Sequence, residues 1–392
     1  MATAGIGPED TLLLFLPDRT LPDAAWVDRI KAAYPGLTVR VESQTDPATG
    51  QTRDVNSLPA DVWDGVTLLV AHGPPRTTEQ KVFSYAVETT LKPTTTLPGL
   101  RFVQVPSAGA DRWIAHETLQ RPDLTICTGN GTHARPAPSR PQIAEWVIGA
   151  WLMARHHFLS IAGHKATGDA WQHRMDRMGE DSTNTRIGIL GYGAIGRQVA
   201  RLATALGMEV YAYTRSERAT PASRADPDTY CVPGTGDPEG RLPAQWFHGT
   251  RADDVSRFLA RDLDLLVVAT PLTADTAKLL GPDQFAVLDA SRAAKPKTYL
   301  VNIARGQVVD TDALLHALRT KQIAGAALDV TDPEPLPASH PLWKAPDVFI
   351  APHVSWQSHH MRERLLGVLE LNLQRLHAGR PLVNVLHKAL HY

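Results

Sequence analysis

Apolar residues fall along this chain in short continuous runs, separated by longer stretches in which they recur at helical spacing. Runs of that kind read as strands buried on both faces, and the stretches between them as amphipathic helices. Leu12–Leu16, Val66–Ala71 and Arg101–Val105 are the first three predicted strands. A second series follows: Arg186–Leu190, Gly207–Tyr213, Leu265–Ala269, Tyr299–Ile303, Ala326–Val330 and Val348–Ala351. Between the two series Ile143–Phe158 reads as a long, mostly apolar helix, and Ser358–His377 as a last helix beyond both. Strand and helix in alternation predict an α/β protein of two Rossmann-like, doubly wound parallel-sheet domains with a cleft between them.

The loop-like stretch Arg135-Pro136-Ala137-Pro138 places a boundary near Pro141. Residues 1–140 are expected to form a substrate-binding, catalytic domain and 141–355 a dinucleotide-binding domain, with 356–392 returning to complete the first. Glu217–Gly249 is rich in Pro, Gly and Asp and is long for a connection after a second strand, so it is expected to be a surface insertion.

The second series carries a glycine fingerprint on its first strand. Gly191-Tyr192-Gly193-Ala194-Ile195-Gly196 stands between the strand Arg186–Leu190 and the helical stretch Arg197–Met208. Gly191 permits a tight turn, Gly193 lets the backbone approach a pyrophosphate, and Gly196 allows close helix packing. Ala194 and Ile195 open a helix whose unpaired N–H groups would face the anion. Glycine turns also join strands to helices without any ligand, and here the flanking strand and helix favour a dinucleotide. A chain selecting NAD normally ends its second strand with Asp or Glu, which bonds the ribose hydroxyls. Thr214 stands at that place, so the strand end itself carries no acid, and Arg215, Ser216, Glu217 and Arg218 follow. No acid there repels a ribose 2′-phosphate, and two guanidinium groups are at hand to bind one. The expected cofactor is NADP(H), with NAD the weaker alternative.

Composition narrows the partners more than the reaction. With 392 residues, 43% of them hydrophobic, the chain has ample core for two domains. A formal net charge of -1 lacks the basic field of a nucleic-acid binder. Cys127 and Cys231 show no metal-ligand spacing, so no metal is expected and both fit reduced structural thiols. Leu12–Leu16 is too short to span a membrane and follows Glu9 and Asp10 rather than a basic leader. A cytoplasmic protein acting on a small molecule, with no nucleic-acid and no membrane partner, is the expectation.

In open parallel sheets, ligands bind beyond the carboxyl ends of the strands. Thr270-Pro271 follows one predicted strand, Arg305 closes the next after Ile303-Ala304, Asp329 ends the one after, and His353 follows Ala351-Pro352. Glu334 lies in the loop after Asp329, within reach of the same crevice. Each has an ordinary reading: Arg305 as a surface arginine, Glu334 as a solvated carboxylate, His353 as one of 16 histidines. Arg, Glu and His delivered by three separate loops to one crevice favour catalysis.

Val301-Asn302-Ile303-Ala304-Arg305-Gly306, Leu328-Asp329-Val330 with Glu334-Pro335-Leu336, and Ala351-Pro352-His353 resemble the three signature blocks of the D-isomer-specific 2-hydroxyacid dehydrogenases. The likeness runs from Ser107-Ala108-Gly109 to the last helix, and the Thr214-Arg215-Ser216 loop makes it similar to an NADP-preferring, glyoxylate/hydroxypyruvate reductase-like branch. The resemblance implies that Arg305 binds the carboxylate and carbonyl oxygen of a 2-oxo acid, that His353 is the acid/base and that Glu334 pairs with it. It further implies a cofactor site lined by Thr270, Pro271, Thr276, Ile303, Ala304 and Asp329, and a substrate carboxylate held by the backbone of Ser107-Ala108-Gly109. It also implies a homodimer formed through the helix after Pro141, whose apolar run Trp146–Met153 suits an interface.

Reducing a 2-oxo acid moves a hydride to the carbonyl carbon while a proton reaches the oxygen. A histidinium supplies that proton at neutral pH, a neighbouring carboxylate favours the charged ring, and an arginine grips the substrate carboxylate with forked hydrogen bonds. Asn130 and His133 are further candidates to line the cleft, and Trp356 to form an aromatic wall beside a bulky substrate. The family also includes dinucleotide-sensing transcriptional corepressors, so a binding module with little turnover is the alternative. The intact trio of Arg305, Glu334 and His353 favours a reductase. Formate oxidation is disfavoured, because the members that perform it lack a carboxylate at the Glu334 position. Pocket volume selects among 2-oxo acids only weakly, since a methylene changes discrimination by about 1–3 kcal/mol.

Overall fold

A computed structural model describes residues 5–53, 58–72, 97–110, 113, 121–130, 142–167, 178–226 and 234–388, the side chains of 164–167 excepted. The 135–138 loop, Pro141, His133 and Cys231 lie outside the described residues. The described residues form two sheets, parallel throughout. The first holds β1 (Thr11–Leu16), β2 (Thr38–Ser43), β3 (Val66–Val70), β4 (Phe102–Gln104) and β5 (Thr125–Cys127) in the order β2-β1-β3-β4-β5. β1 is buried along its whole length. Leu12, Leu14 and Leu16 pack on one face with Trp26 and Ile30, while Leu13 and Phe15 pack on the other with Trp113 and Ile126. Side chains alternate across a strand, so covering both faces makes the run continuous rather than alternating.

The second sheet holds β6 (Arg186–Leu190), β7 (Glu209–Thr214), β8 (Gln245–His248), β9 (Leu265–Val268), β10 (Tyr299–Asn302), β11 (Gly325–Leu328) and β12 (Val348–Ile350). Their order is β12-β11-β10-β9-β6-β7-β8, with the chain reversing its direction of travel between β6 and β9. β8 corrects the expectation that Glu217–Gly249 is wholly a surface insertion. Its end pairs with β7 from Tyr211↔Gln245 to Thr214↔His248. The reason is the aromatic pair it carries: Trp246 meets Tyr192 edge-on at 5.0 Å, while Phe247 packs against Tyr211 and Phe258.

The long apolar helix is Gln142–Arg155, and it ends where His157 takes a positive φ of 56° before a second helix, Phe158–Thr167. Val147, Ile148 and Trp151 join Ile187, Ile189 and Val199 in the core of the second sheet. Much of the run Trp146–Met153 is therefore used inside the chain. Exposed apolar surface appears one helix later, at Phe158, Leu159 and Ile161, which are 50–60% exposed.

The final helix, Met361–His377, sets Leu365, Leu369 and Leu373 into the core beside Leu12, Leu14 and Leu68. The chain therefore leaves the first sheet, builds the second and comes back. Arg364, itself buried, donates to Gln142 Oε1, and Gln142 Nε2 donates to the Trp356 carbonyl at 2.9 Å, tying the outward crossing to the return. Among the described residues no helix is long and apolar enough to cross a membrane.

Candidate active site

The fingerprint turn follows β6 directly. Gly191 has φ +106°, and a Cβ there would lie 2.6 Å from the Ala269 carbonyl carbon and 2.7 Å from the Thr270 nitrogen, so only glycine lets the turn pass under the end of β9. A Cβ on Gly196 would stand 2.4 Å from the Gly191 oxygen. Gly193 differs from both: a Cβ there would meet nothing within 4 Å. It caps the helix Ala194–Ala205 and faces open space, which suits backbone approach by a pyrophosphate. Ala194 and Ile195, half-buried, form the first turn of that helix.

β9, β10, β11 and β12 are successive neighbours, so the residues after them stand in a row at one edge. Adjacent parallel strands lie about 4.8 Å apart, which puts the ends of β10 and β12 roughly 10 Å apart. Thr270 and Pro271 follow β9, and Thr276 folds back to donate to the Pro271 carbonyl at 2.7 Å. Ile303 and Ala304 are buried after β10. Asn302 shapes this turn, accepting from Ala304 N at 3.1 Å and donating to the Arg305 carbonyl at 3.2 Å. The Arg305 guanidinium donates to the Ala304 carbonyl at 2.8 Å. Gly306 packs so tightly on Thr331 that a Cβ would lie 2.0 Å from its carbonyl carbon, which draws the Arg305 loop against the loop bearing Glu334.

That second loop is tied in turn to His353. Asp329, 2% exposed, accepts from Val354 N at 2.8 Å and Ser355 N at 3.0 Å, and the Ser355 hydroxyl donates to its other oxygen. The Asp329 carbonyl accepts from His353 N at 2.9 Å. His353 adopts a positive φ of 54°, a conformation an L-residue keeps only when its surroundings fix it. Its Nδ1 lies 2.7 Å from Glu334 Oε1, with both side chains about one-fifth exposed. The carboxylate thus engages Nδ1, one of the two ring nitrogens. Trp356 Nε1 donates to the His353 carbonyl at 2.7 Å, and the Arg19 guanidinium lies 5.0 Å over the Trp356 ring.

At the other end of the sheet, Thr214 closes β7 and its hydroxyl donates to the Ser216 carbonyl at 2.7 Å. Arg215 and Ser216 are exposed, and Arg215 stands 3.6 Å from Asp275. Arg218 is half-buried and donates to the Ser223 carbonyl, so part of its guanidinium serves the local fold. In the first sheet, Ser107, Ala108 and Gly109 follow β4; Ser107 Oγ donates to the Gly109 carbonyl at 2.7 Å, and Gly129 N donates to the Ser107 carbonyl at 2.8 Å. Asn130 lies in the neighbouring turn, where its carbonyl accepts from Asn384 Nδ2 at 2.5 Å.

The structure thus joins Glu334 to His353 and seats Asp329 under the His353 loop. Sequence reasoning did not single out Ser355, Asn302 or Asp275. Asn302 sits inside a motif block and Ser355 two residues beyond another, where a short polar residue beside a strand end is a usable signal; nothing local marks Asp275 as a partner of Arg215. Among the described residues, no group of three or more His, Cys, Asp or Glu is arranged to hold a metal ion.

The sequence model described as "D-isomer specific 2-hydroxyacid dehydrogenase, NAD binding domain" matches residues 149–231 and 238–355, a span that includes every strand of the second sheet. A glyoxylate reductase of Thermococcus kodakarensis is 34% identical over 222 residues, 57% of either chain, so the match spans little more than half of that relative's length. A glyoxylate reductase of Aeropyrum pernix is 31% identical over 298 residues, covering 74% of this chain and 77% of that one. Among solved structures, a D-isomer specific 2-hydroxyacid dehydrogenase from Xanthobacter autotrophicus Py2, crystallised with NADPH and MES, matches with a TM-score of 0.65 over 97% of this chain and 99% of its own, at 24% identity.

Proposed function

The chain belongs to the D-isomer-specific 2-hydroxyacid dehydrogenase family, and on that premise we propose that it reduces 2-oxo acids to D-2-hydroxy acids with NADPH. The observation that carries this reading is the 2.7 Å pair of His353 and Glu334, standing in the same row of strand ends as Arg305.

When bound, the nicotinamide supplies the hydride. His353 donates the proton from Nε2 to the carbonyl oxygen, and in the reverse direction accepts it from the hydroxyl. Glu334 holds the ring through Nδ1, fixing its orientation and balancing the imidazolium charge. Arg305 binds the substrate's carboxylate and carbonyl oxygen through two N–H groups, which aligns the carbonyl for attack from one face. The Ser107-Ala108-Gly109 backbone receives the same carboxylate from the first sheet, within a substrate-binding unit of residues 1–140 and 356–392 that faces the cofactor unit 141–355. Gly191, Gly193, Ala194, Ile195 and Gly196 hold the pyrophosphate, and Thr270, Pro271, Thr276, Ile303, Ala304 and Asp329 bound the nicotinamide side.

NADPH is favoured over NADH because β7 ends in Thr214 rather than an acid, and Arg215 is exposed beside it. Its contact with Asp275 is an exposed ion pair, weak enough for a phosphate to replace. We further propose a homodimer, its contact centred on Phe158, Leu159 and Ile161 in place of the earlier run. Light scattering giving a monomer mass would reject it. The reductase is tested by following NADPH oxidation with glyoxylate, hydroxypyruvate, pyruvate and bulkier 2-oxo acids. Turnover of at least one is expected; none with any, despite NADPH binding, would leave a dinucleotide-sensing module.

A further inference from the structure

The segment between β7 and β8 buries ionic and polar groups that a surface loop has no need to bury. Asp237 is 5% exposed, and its carboxylate accepts from the Tyr192 hydroxyl at 2.8 Å, Arg241 N at 2.9 Å and Leu242 N at 3.1 Å. Tyr192 is the second residue of the fingerprint, 4% exposed; burial, and then the Asp237 carboxylate, hold its phenol in the protonated, donating form. Arg197, one turn into the fingerprint helix and equally buried, donates to the Asp237 and Arg224 carbonyls and stands 3.5 Å from Asp226. Arg224 Nε then donates to the Arg218 carbonyl at 2.9 Å. Buried charges are costly unless fully paired, and removing one partner leaves the other stranded, so such a network holds one geometry.

These contacts make a second path between two loops that the sheet alone would connect. One end is the Gly191-Tyr192-Gly193 turn, and the other is the Thr214–Arg218 loop. We infer that Asp237, Tyr192 and Arg197 are positioning residues that fix the spacing between the pyrophosphate turn and the 214–218 loop, and thereby set how sharply the chain distinguishes its two dinucleotides. The inference rests on the cofactor reading above. A dinucleotide spans both loops, so a change in their spacing alters the two ligands unequally, because only one has a 2′-phosphate to place.

The test uses the full chain carrying Tyr192→Phe, which removes only the hydroxyl, and Asp237→Asn, which removes the charge. Dissociation constants for NADPH and NADH are measured by cofactor fluorescence, with kcat and the KM for a 2-oxo acid at saturating cofactor. Loss of a buried, charge-assisted bond predicts about tenfold weaker binding of the preferred dinucleotide and a selectivity ratio moved toward one. The kcat and the substrate KM should stay within about twofold, a split that general loss of structure does not produce. An unchanged ratio in Tyr192→Phe, or a rise in substrate KM with a fall in kcat and the ratio intact, overturns the inference. Should Asp237→Asn not fold, Tyr192→Phe decides alone. A wild-type preference for NADH would remove the NADPH reading while leaving the brace to be judged by the variants' ratio; a wild type binding neither removes both.

Discussion

His353 Nδ1 sits 2.7 Å from Glu334 Oε1 although the two residues leave different strands and are 19 apart in sequence. The carboxylate commits Nδ1, and the proposed reaction assigns proton transfer to Nε2. Replacing His353 by Ala should lower kcat by about 10²- to 10⁴-fold while NADPH still binds. Glu334→Gln keeps the shape of the contact but not its charge, and should give a smaller loss in kcat. Stopped-flow NADPH oxidation measures both; near-normal kcat in His353→Ala would remove the proton-transfer role.

In the proposed reaction Arg305 both binds the substrate and orients it. Arg305→Lys keeps the charge and loses the fork, so it should raise the KM for the 2-oxo acid and lower kcat together, costing about 10- to 100-fold in kcat/KM. A change confined to KM would mean that the side chain only binds.

Asp275 sets a carboxylate 3.6 Å from Arg215, and on the proposed NADPH reading it would compete with the ribose 2′-phosphate for the same guanidinium. Asp275→Asn should tighten NADPH binding by a few-fold, on the order of 0.5–1 kcal/mol for an exposed ion pair, and leave NADH binding unchanged. Equal effects on the two cofactors would place Arg215 away from the phosphate.

Asp10 is buried beneath the first sheet. Burial favours its neutral form, but hydrogen bonds from Arg101, Thr67 and Gly7 N outweigh that and leave its carboxyl below the usual 3.8. A depressed folded value contributes stability that is present above the ordinary one and is lost as pH falls through the folded one. Thermal melts should therefore show wild type losing stability in that acid range. Asp10→Asn should be less stable by about 2 kcal/mol at neutral pH and should show less of the acid loss. Parallel pH curves for the two proteins would contradict this.

Cys127 is fully buried in β5, and burial pushes its thiol up to about 12. In a Cys231→Ser background, an alkylating reagent at mildly alkaline pH should leave the native protein unlabelled and label it once denaturant unfolds it. Rapid native labelling would mean that β5 opens readily.

Strands buried on both faces were the easiest parts to read from sequence, because their apolar runs are nearly continuous; β6 and β9 through β11 lie where their runs are, give or take a residue or two at the ends, and so does the half-buried edge strand β12. Three strands were missed for physical reasons. β2 is a half-buried sheet edge, β5 is three residues long, and β8 hides inside a Pro- and Gly-rich stretch whose aromatic pair only acquires meaning against Tyr192 and Phe258. In the candidate site, residue identity and strand-end position sufficed to pick out His353 and Glu334. The contacts that hold them did not follow from pattern, since Asp329 reaches Ser355 and Gly306 meets Thr331 only after the sheet has set their register.

The return of Met361–His377 to the first sheet also has a bearing on how the protein is made. Leu365, Leu369 and Leu373 cover strands synthesised some three hundred residues before them. The second sheet is continuous in sequence and can condense as it leaves the ribosome, whereas the face of β1 that packs on Trp26 and Ile30 stays part-covered until the last helix arrives. During that interval Leu12, Leu14 and Leu16 are open to aggregation on the side the last helix will cover, and dinucleotide bound early to the finished sheet would not shorten it.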